Sequence, residues 1–183
     1  MFVTFWLAVR ITCCDDMTDR SQERFLALLE SHQNIVFKVA SIYCWDSEGR
    51  RDLIQEITMQ LWRAFPSYDE KRVFSTWMYR IALNVAISSA RKAGRLRRLV
   101  APLETSDIGS VAGPTKPEPD ERIDALYRCL RGLDPFNRAL MMLYLDDRSY
   151  LEIADVLGIS ETNVATKISR LKRRLRSELA PSA

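Results

Sequence analysis

Cations without neighbouring acids gather in two stretches of this 183-residue chain. Phe74–Val100 holds Arg80, Arg91, Lys92, Arg95, Arg97 and Arg98 and no Asp or Glu. Asn163–Ser177 holds Lys167, Arg170, Lys172, Arg173, Arg174 and Arg176, again with no acid. Guanidinium and ammonium groups at this density suit a polyanion, because they replace the counterions condensed on phosphates. The formal net charge of +3 hides this pattern. It sums two strongly basic segments with a remainder that is net acidic.

The second stretch also carries a reading chemistry. Val164, Ile168, Leu171 and Leu175 fall on one helical stripe, which leaves Thr162, Asn163, Thr166, Lys167, Arg170, Arg173 and Arg174 on the other side. Hydroxyls and an amide at the N-terminal end can meet base edges, and the cations farther along can meet phosphates. Just upstream, Leu151–Ser160 (LEIADVLGIS) has the grammar of a helix-turn-helix. Ala154 is small where helices would cross, Gly158 permits positive φ, and Ser160 is a natural N-cap.

The first stretch begins with aromatics. Phe74, Trp77 and Tyr79 open it, and Tyr68 lies in the preceding loop. Flat rings beside cations such as Arg80 are what unpaired bases and their backbone require. The competing reading places Trp77 in a core.

Other chemistries find little support. Asp52, Gln55 and Glu56 share a partly apolar helix with Leu53, Ile54, Ile57 and Trp62, which suits a protein-binding face. A carboxylate pair without a histidine, metal ligands or a Gly-rich loop is a weak acid/base site. There is one histidine, and the cysteines (Cys13, Cys14, Cys44, Cys129) form no CxxC pair. No metal, no cofactor and no enzymatic activity are expected. Buried free thiols at Cys44 and Cys129 fit a reducing compartment.

These residues need elements to hold them. With 47% hydrophobic and 28% charged residues, only 6 glycines and 7 prolines, the chain reads as globular and helical. Apolar spacing predicts helices from about Ser21 to Ile42, Ser47 to Phe65 and Phe74 to Leu99. Further helices are expected from Pro119 to Gly132, Phe136 to Leu145, Tyr150 to Leu157 and Glu161 to Leu179. Ala101–Asp120 collects four of the seven prolines and reads as a flexible linker. The expected architecture is therefore all-α: two small helical domains, 17–100 and 120–183, joined by a linker at 101–119. The apolar Met1–Ile11 is too short to span a bilayer and lacks a basic leader region. Residues 1–16 read as an extension of doubtful authenticity, with Met17 as an alternative start.

Three ordered stretches carry a family resemblance: Asp52-Leu-Ile-Gln-Glu56, Phe74-Ser-Thr-Trp-Met-Tyr-Arg-Ile-Ala-Leu-Asn84, and Ser149–Ser160 with the basic helix after it. On these the chain resembles the bacterial sigma factors of the extracytoplasmic-function (ECF) group. The resemblance implies a non-enzymatic factor that binds core RNA polymerase, at its clamp helices and flap, directs it to promoters and helps open the DNA. Asp52, Gln55 and Glu56 would then contact the polymerase. The implied minus-ten residues are Tyr68, Phe74, Trp77, Tyr79, Arg80, Asn84, Arg91 and Lys92. Ser160, Thr162, Asn163, Thr166, Lys167, Arg170, Arg173 and Arg174 would serve the minus-thirty-five element. An anti-sigma partner and a cytoplasmic location, nucleoid-associated in holoenzyme or held at the membrane by that partner, are also implied. Leu83, Ser88, Ala165 and Lys167 depart from residues frequent in the family, which bears on promoter sequence rather than class. A conventional dimeric repressor and a recombinase with a DNA-binding tail are the competing classes.

Overall fold

The computed structural model describes residues 19–100 and 121–179. The proposed extension 1–16 and linker 101–119, with Cys13 and Cys14, lie outside the described residues. Seven α-helices and no strand occur among the described residues: α1 (Asp19–Tyr43), α2 (Ser47–Ala64), α3 (Phe74–Val100), α4 (Glu121–Arg131), α5 (Pro135–Leu145), α6 (Tyr150–Leu157) and α7 (Glu161–Leu179). The all-α reading holds, and each expected helix is present within a few residues of its sequence-based limits.

Helices α1, α2 and α3 pack on one another. The stripe that does so on α1 is Phe25, Leu29, Val36, Val39 and Ala40; on α2 it is Leu53, Ile57 and Leu61, all buried. Asp46 caps α2 by accepting from the Gly49 N–H. At the other end Pro66 cannot continue the helix, and Phe65–Ser67 tightens into a 3-10 turn. That turn aims Phe65 into an aromatic cluster. Its ring lies 5.0 Å from Phe25, 5.9 Å from Tyr68 and 6.3 Å from Trp77. The cluster fixes the loop between α2 and α3, and the Tyr68 hydroxyl closes it by donating to the Arg72 carbonyl at 2.6 Å.

The second half folds as the sequence grammar requires. Asp134 caps α5 with Pro135 at its first position. Ser149 and Glu152 form a reciprocal capping box at the start of α6. Gly158 ends α6 with φ 68°, and its N–H donates to the Ala154 carbonyl at 2.9 Å. Ser160 accepts from the Asn163 N–H, which starts α7. Val164, Ile168, Leu171 and Leu175 are all buried, as their spacing predicts.

Helix α5 departs from the one-sided pattern of a surface helix. Ala139, Leu140, Met141, Met142 and Leu143 are consecutive and all buried. Five buried residues in a row cover every side of a helix with 3.6 residues per turn. One side meets α6 and α7, and another meets α3 of the first half. The two halves are therefore packed together.

Substituting Gly158→Ala forces a side chain into a left-handed backbone conformation, although nothing stands within 4 Å of the new Cβ. It is expected to cost about 1 kcal/mol, read as a lower urea midpoint with an unchanged slope.

Candidate nucleic-acid interface

The exposed face of α7 presents Thr162, Asn163, Thr166, Arg170 and Arg173 to solvent. Local bonds organise its first turns: Thr166 Oγ1 donates to the Thr162 carbonyl, and Ser160 is committed to capping. Three other cations of the helix are partly engaged. Lys167 is half-buried with Nζ 5.6 Å from the centre of the Phe136 ring. Lys172 donates to the Tyr144 hydroxyl at 2.9 Å, and Arg174 pairs with Glu178 at 2.7 Å. The Arg174–Glu178 pair holds the Glu178 carboxyl below its usual range. Arg170, Arg173 and Arg176 are thus the cations of α7 with the fewest competing contacts among the described residues.

On α3, Arg80, Asn84 and Arg91 recur at intervals of four and seven residues and are exposed together along one face, with Lys92 beside Arg91. The aromatics divide differently. Phe74 is buried against His32 and Tyr68, with ring centres 5.2 Å and 5.4 Å away. Trp77 is half-buried, 5.0 Å from Tyr68 and 5.3 Å from Phe74. Tyr79 is only 1% exposed. In this arrangement Phe74 and Tyr79 offer no free ring face to a base, and Trp77 and Tyr68 keep one partly open.

Asp52, Gln55 and Glu56 are all exposed on α2, away from the stripe that packs on α1 and α3. Glu56 accepts from the Gln60 amide at 2.8 Å. No cluster of metal-ligating side chains occurs among the described residues. Cys44 and Cys129 are free thiols, both pushed up by burial. No described helix is long and apolar enough to cross a membrane.

Sequence reasoning missed the groove that joins the two faces. Arg72, Val73, Trp77, Arg80, Ile81 and Asn84 line one wall, and Leu151, Asp155, Ile159, Ser160 and Glu161 line the other. It also missed the polar cluster beneath. Tyr79 donates to Asp146 Oδ2 at 2.6 Å, and Lys38 pairs with the other Asp146 oxygen. Burial alone would raise the Asp146 pKa, but the bonds from Lys38 and Tyr79 hold it below the usual carboxylate range. Those residues stand 108 and 67 positions from Asp146, so no local spacing could reveal them.

Comparison with known proteins agrees with this layout. Residues 28–96 match the model of sigma-70 region 2, and residues 123–175 match that of sigma-70 region 4. Together these cover more than half of the chain. The ECF RNA polymerase sigma factor SigW of Bacillus subtilis is 26% identical over 168 residues, 86% of this chain and 90% of that protein. The ECF RNA polymerase sigma-E factor of Escherichia coli K12 is 26% identical over 170 residues, 87% of this chain and 88% of the relative. Two solved structures share the fold. One is the sigma factor RpoE in complex with the anti-sigma factor NepR from Bartonella quintana (TM-score 0.66, 20% identity, 91% of this chain and 100% of that one). The other is CnrH in complex with the cytosolic domain of CnrY (TM-score 0.63, 22% identity, 88% of this chain and 91% of that one). With region 2 on α1–α3, region 4 on α4–α7 and relatives matched over most of their length, the chain belongs to the sigma-70 family of RNA polymerase sigma factors, in its extracytoplasmic-function group.

Proposed function

We propose that this sigma factor divides its work between the two basic faces. In this reading 17–100 is the region 2 domain, 120–183 the region 4 domain and 101–119 the connecting linker. Core polymerase docks on Asp52, Gln55 and Glu56 of α2. Arg80, Asn84, Arg91 and Lys92 of α3 follow the minus-ten strand, with Tyr68 and Trp77 as the partly open rings. Thr162, Asn163, Thr166, Arg170 and Arg173 of α7 enter the major groove of the minus-thirty-five element. The observation that carries this reading is the pair of acid-free basic faces, each on the helix that its region match would assign to DNA.

Energetics favour such a division. Opening DNA costs about 1.4 kcal/mol per base-pair step in lost stacking. Stacking an unpaired base on an aromatic face returns about 1–3 kcal/mol. Two weak readers held on one frame gain by effective concentration what neither has alone. Polymerase is that frame and carries the catalysis; this chain acts as an initiation factor. It therefore works where polymerase and DNA are, in the cytoplasm and on the nucleoid. The anti-sigma complexes of its structural neighbours support a similar protein partner here, which would hold the chain away from polymerase.

In vitro transcription with core polymerase on genomic fragments, with start sites mapped, tests the reading. Specific starts are expected only when both proteins are present. Asp52→Lys combined with Glu56→Lys is expected to abolish them; full activity of that variant contradicts the docking role. Arg170→Ala is expected to weaken use of the upstream element about tenfold, as for loss of one bidentate base contact. Trp77→Ala removes a half-buried ring, so a melting curve must accompany its promoter-opening assay. A stability loss of about 2 kcal/mol is expected from the aromatic cluster alone.

A further inference from the structure

We propose that Val73 is a wedge for promoter opening: its exposed isopropyl group enters the base stack at the minus-ten element and holds the first opened step apart. The proposal rests on the promoter-recognition reading above and adds to it a residue that carries neither charge nor ring.

The place of Val73 in the backbone is the first support. Its carbonyl accepts from the Trp77 N–H at 3.2 Å, which makes Val73 the N-cap of α3. That place favours Ser, Thr, Asp or Asn, whose side-chain oxygen takes an N–H of the first turn. The chain follows this rule elsewhere. Helices α2, α5, α6 and α7 start on Asp46, Asp134, Ser149 and Ser160, and each of these side chains accepts from its own helix. Valine can accept nothing there. Helix α3 thus gives up a stabilising cap at the turn that opens its DNA-facing side.

Exposure is the second support. Val73 is 66% exposed, so packing does not account for the valine. Leu151, on the opposite wall of the groove, is 67% exposed, and neither residue covers the other. A lone exposed apolar side chain is ordinary on a surface. One that also displaces a helix cap breaks a local rule with no gain to the fold, which is where function is to be sought.

The surroundings supply that function. Val73 shares its wall of the groove with Arg72, Trp77, Arg80 and Asn84. The partly open rings of Tyr68 and Trp77 suit an unpaired base, and the cations suit its backbone. An apolar side chain inserted between base steps unstacks them and bends the duplex. Valine is short, branched and stiff about χ1. Its backbone is held on both sides. The Tyr68 hydroxyl donates to the Arg72 carbonyl at 2.6 Å, the Arg72 N–H donates to the Asp69 carbonyl at 2.9 Å, and Phe74 is buried. Little freedom is left to lose on insertion.

Val73→Ser tests the proposal, because it adds a cap and removes the wedge. Its melting temperature is expected to rise by about 2–4 °C. In complex with core polymerase on a mapped promoter, its opening rate, read from permanganate reactivity of unpaired thymines, is expected to fall about tenfold. Val73→Ile keeps the apolar shape and is expected to open at the wild-type rate. On the same promoter with the minus-ten element already unpaired, Val73→Ser is expected to match the wild type. Wild-type opening by the Ser variant, or an equal defect on the unpaired template, would overturn the proposal. So would a lower melting temperature, which would give Val73 a role in the fold. Failure of the recognition reading shows separately, as absence of core-dependent starts with the wild-type chain.

Discussion

The middle of helix α5 is buried on every side, and most of the architecture answers that constraint. Its run from Ala139 to Leu143 is buried all round, and burying a large apolar side chain contributes about 1.5–3 kcal/mol. The helix-turn-helix pair α6–α7 covers one side, and α3 covers another. A domain of this size has little apolar surface to spare, and its partner domain supplies the remaining cover. The contact between domains is therefore part of how the core is completed.

That arrangement links stability to function. The elements that complete the α5 core also carry the two proposed DNA-facing surfaces, so burial and recognition draw on different sides of the same helices. Asn84 and Arg80 stay exposed on α3, while Tyr79, one residue before Arg80, turns inward to Asp146. One helix thus has an exposed side, proposed to meet nucleic acid, and a buried side that meets the other domain.

Much of this was legible in the sequence, and for identifiable reasons. Helix limits followed from local punctuation: Asp134, Ser149 and Gly158 each satisfy or end a helix within four residues of themselves. The α7 stripe followed from periodicity. Long-range facts were not legible. That Tyr79 is core and not a stacking platform depends on Asp146, 67 residues away. Lys167 reads as a DNA cation from its spacing, yet Phe136 draws its ammonium back toward the core. The five-residue apolar run in α5 was the one available sign that the halves pack together. It exceeds what a one-sided helix can bury.

The central claim is that Asn84 and Arg170 stand on readers of two separate promoter elements. Photocrosslinking from each position in the complex of this chain, core polymerase and promoter DNA tests it most directly. The account predicts that a crosslinker at 84 labels DNA near the start site and one at 170 labels DNA about 25 base pairs upstream, roughly 85 Å away. Labelling of a single shared segment from both positions, or none from 170, would contradict it.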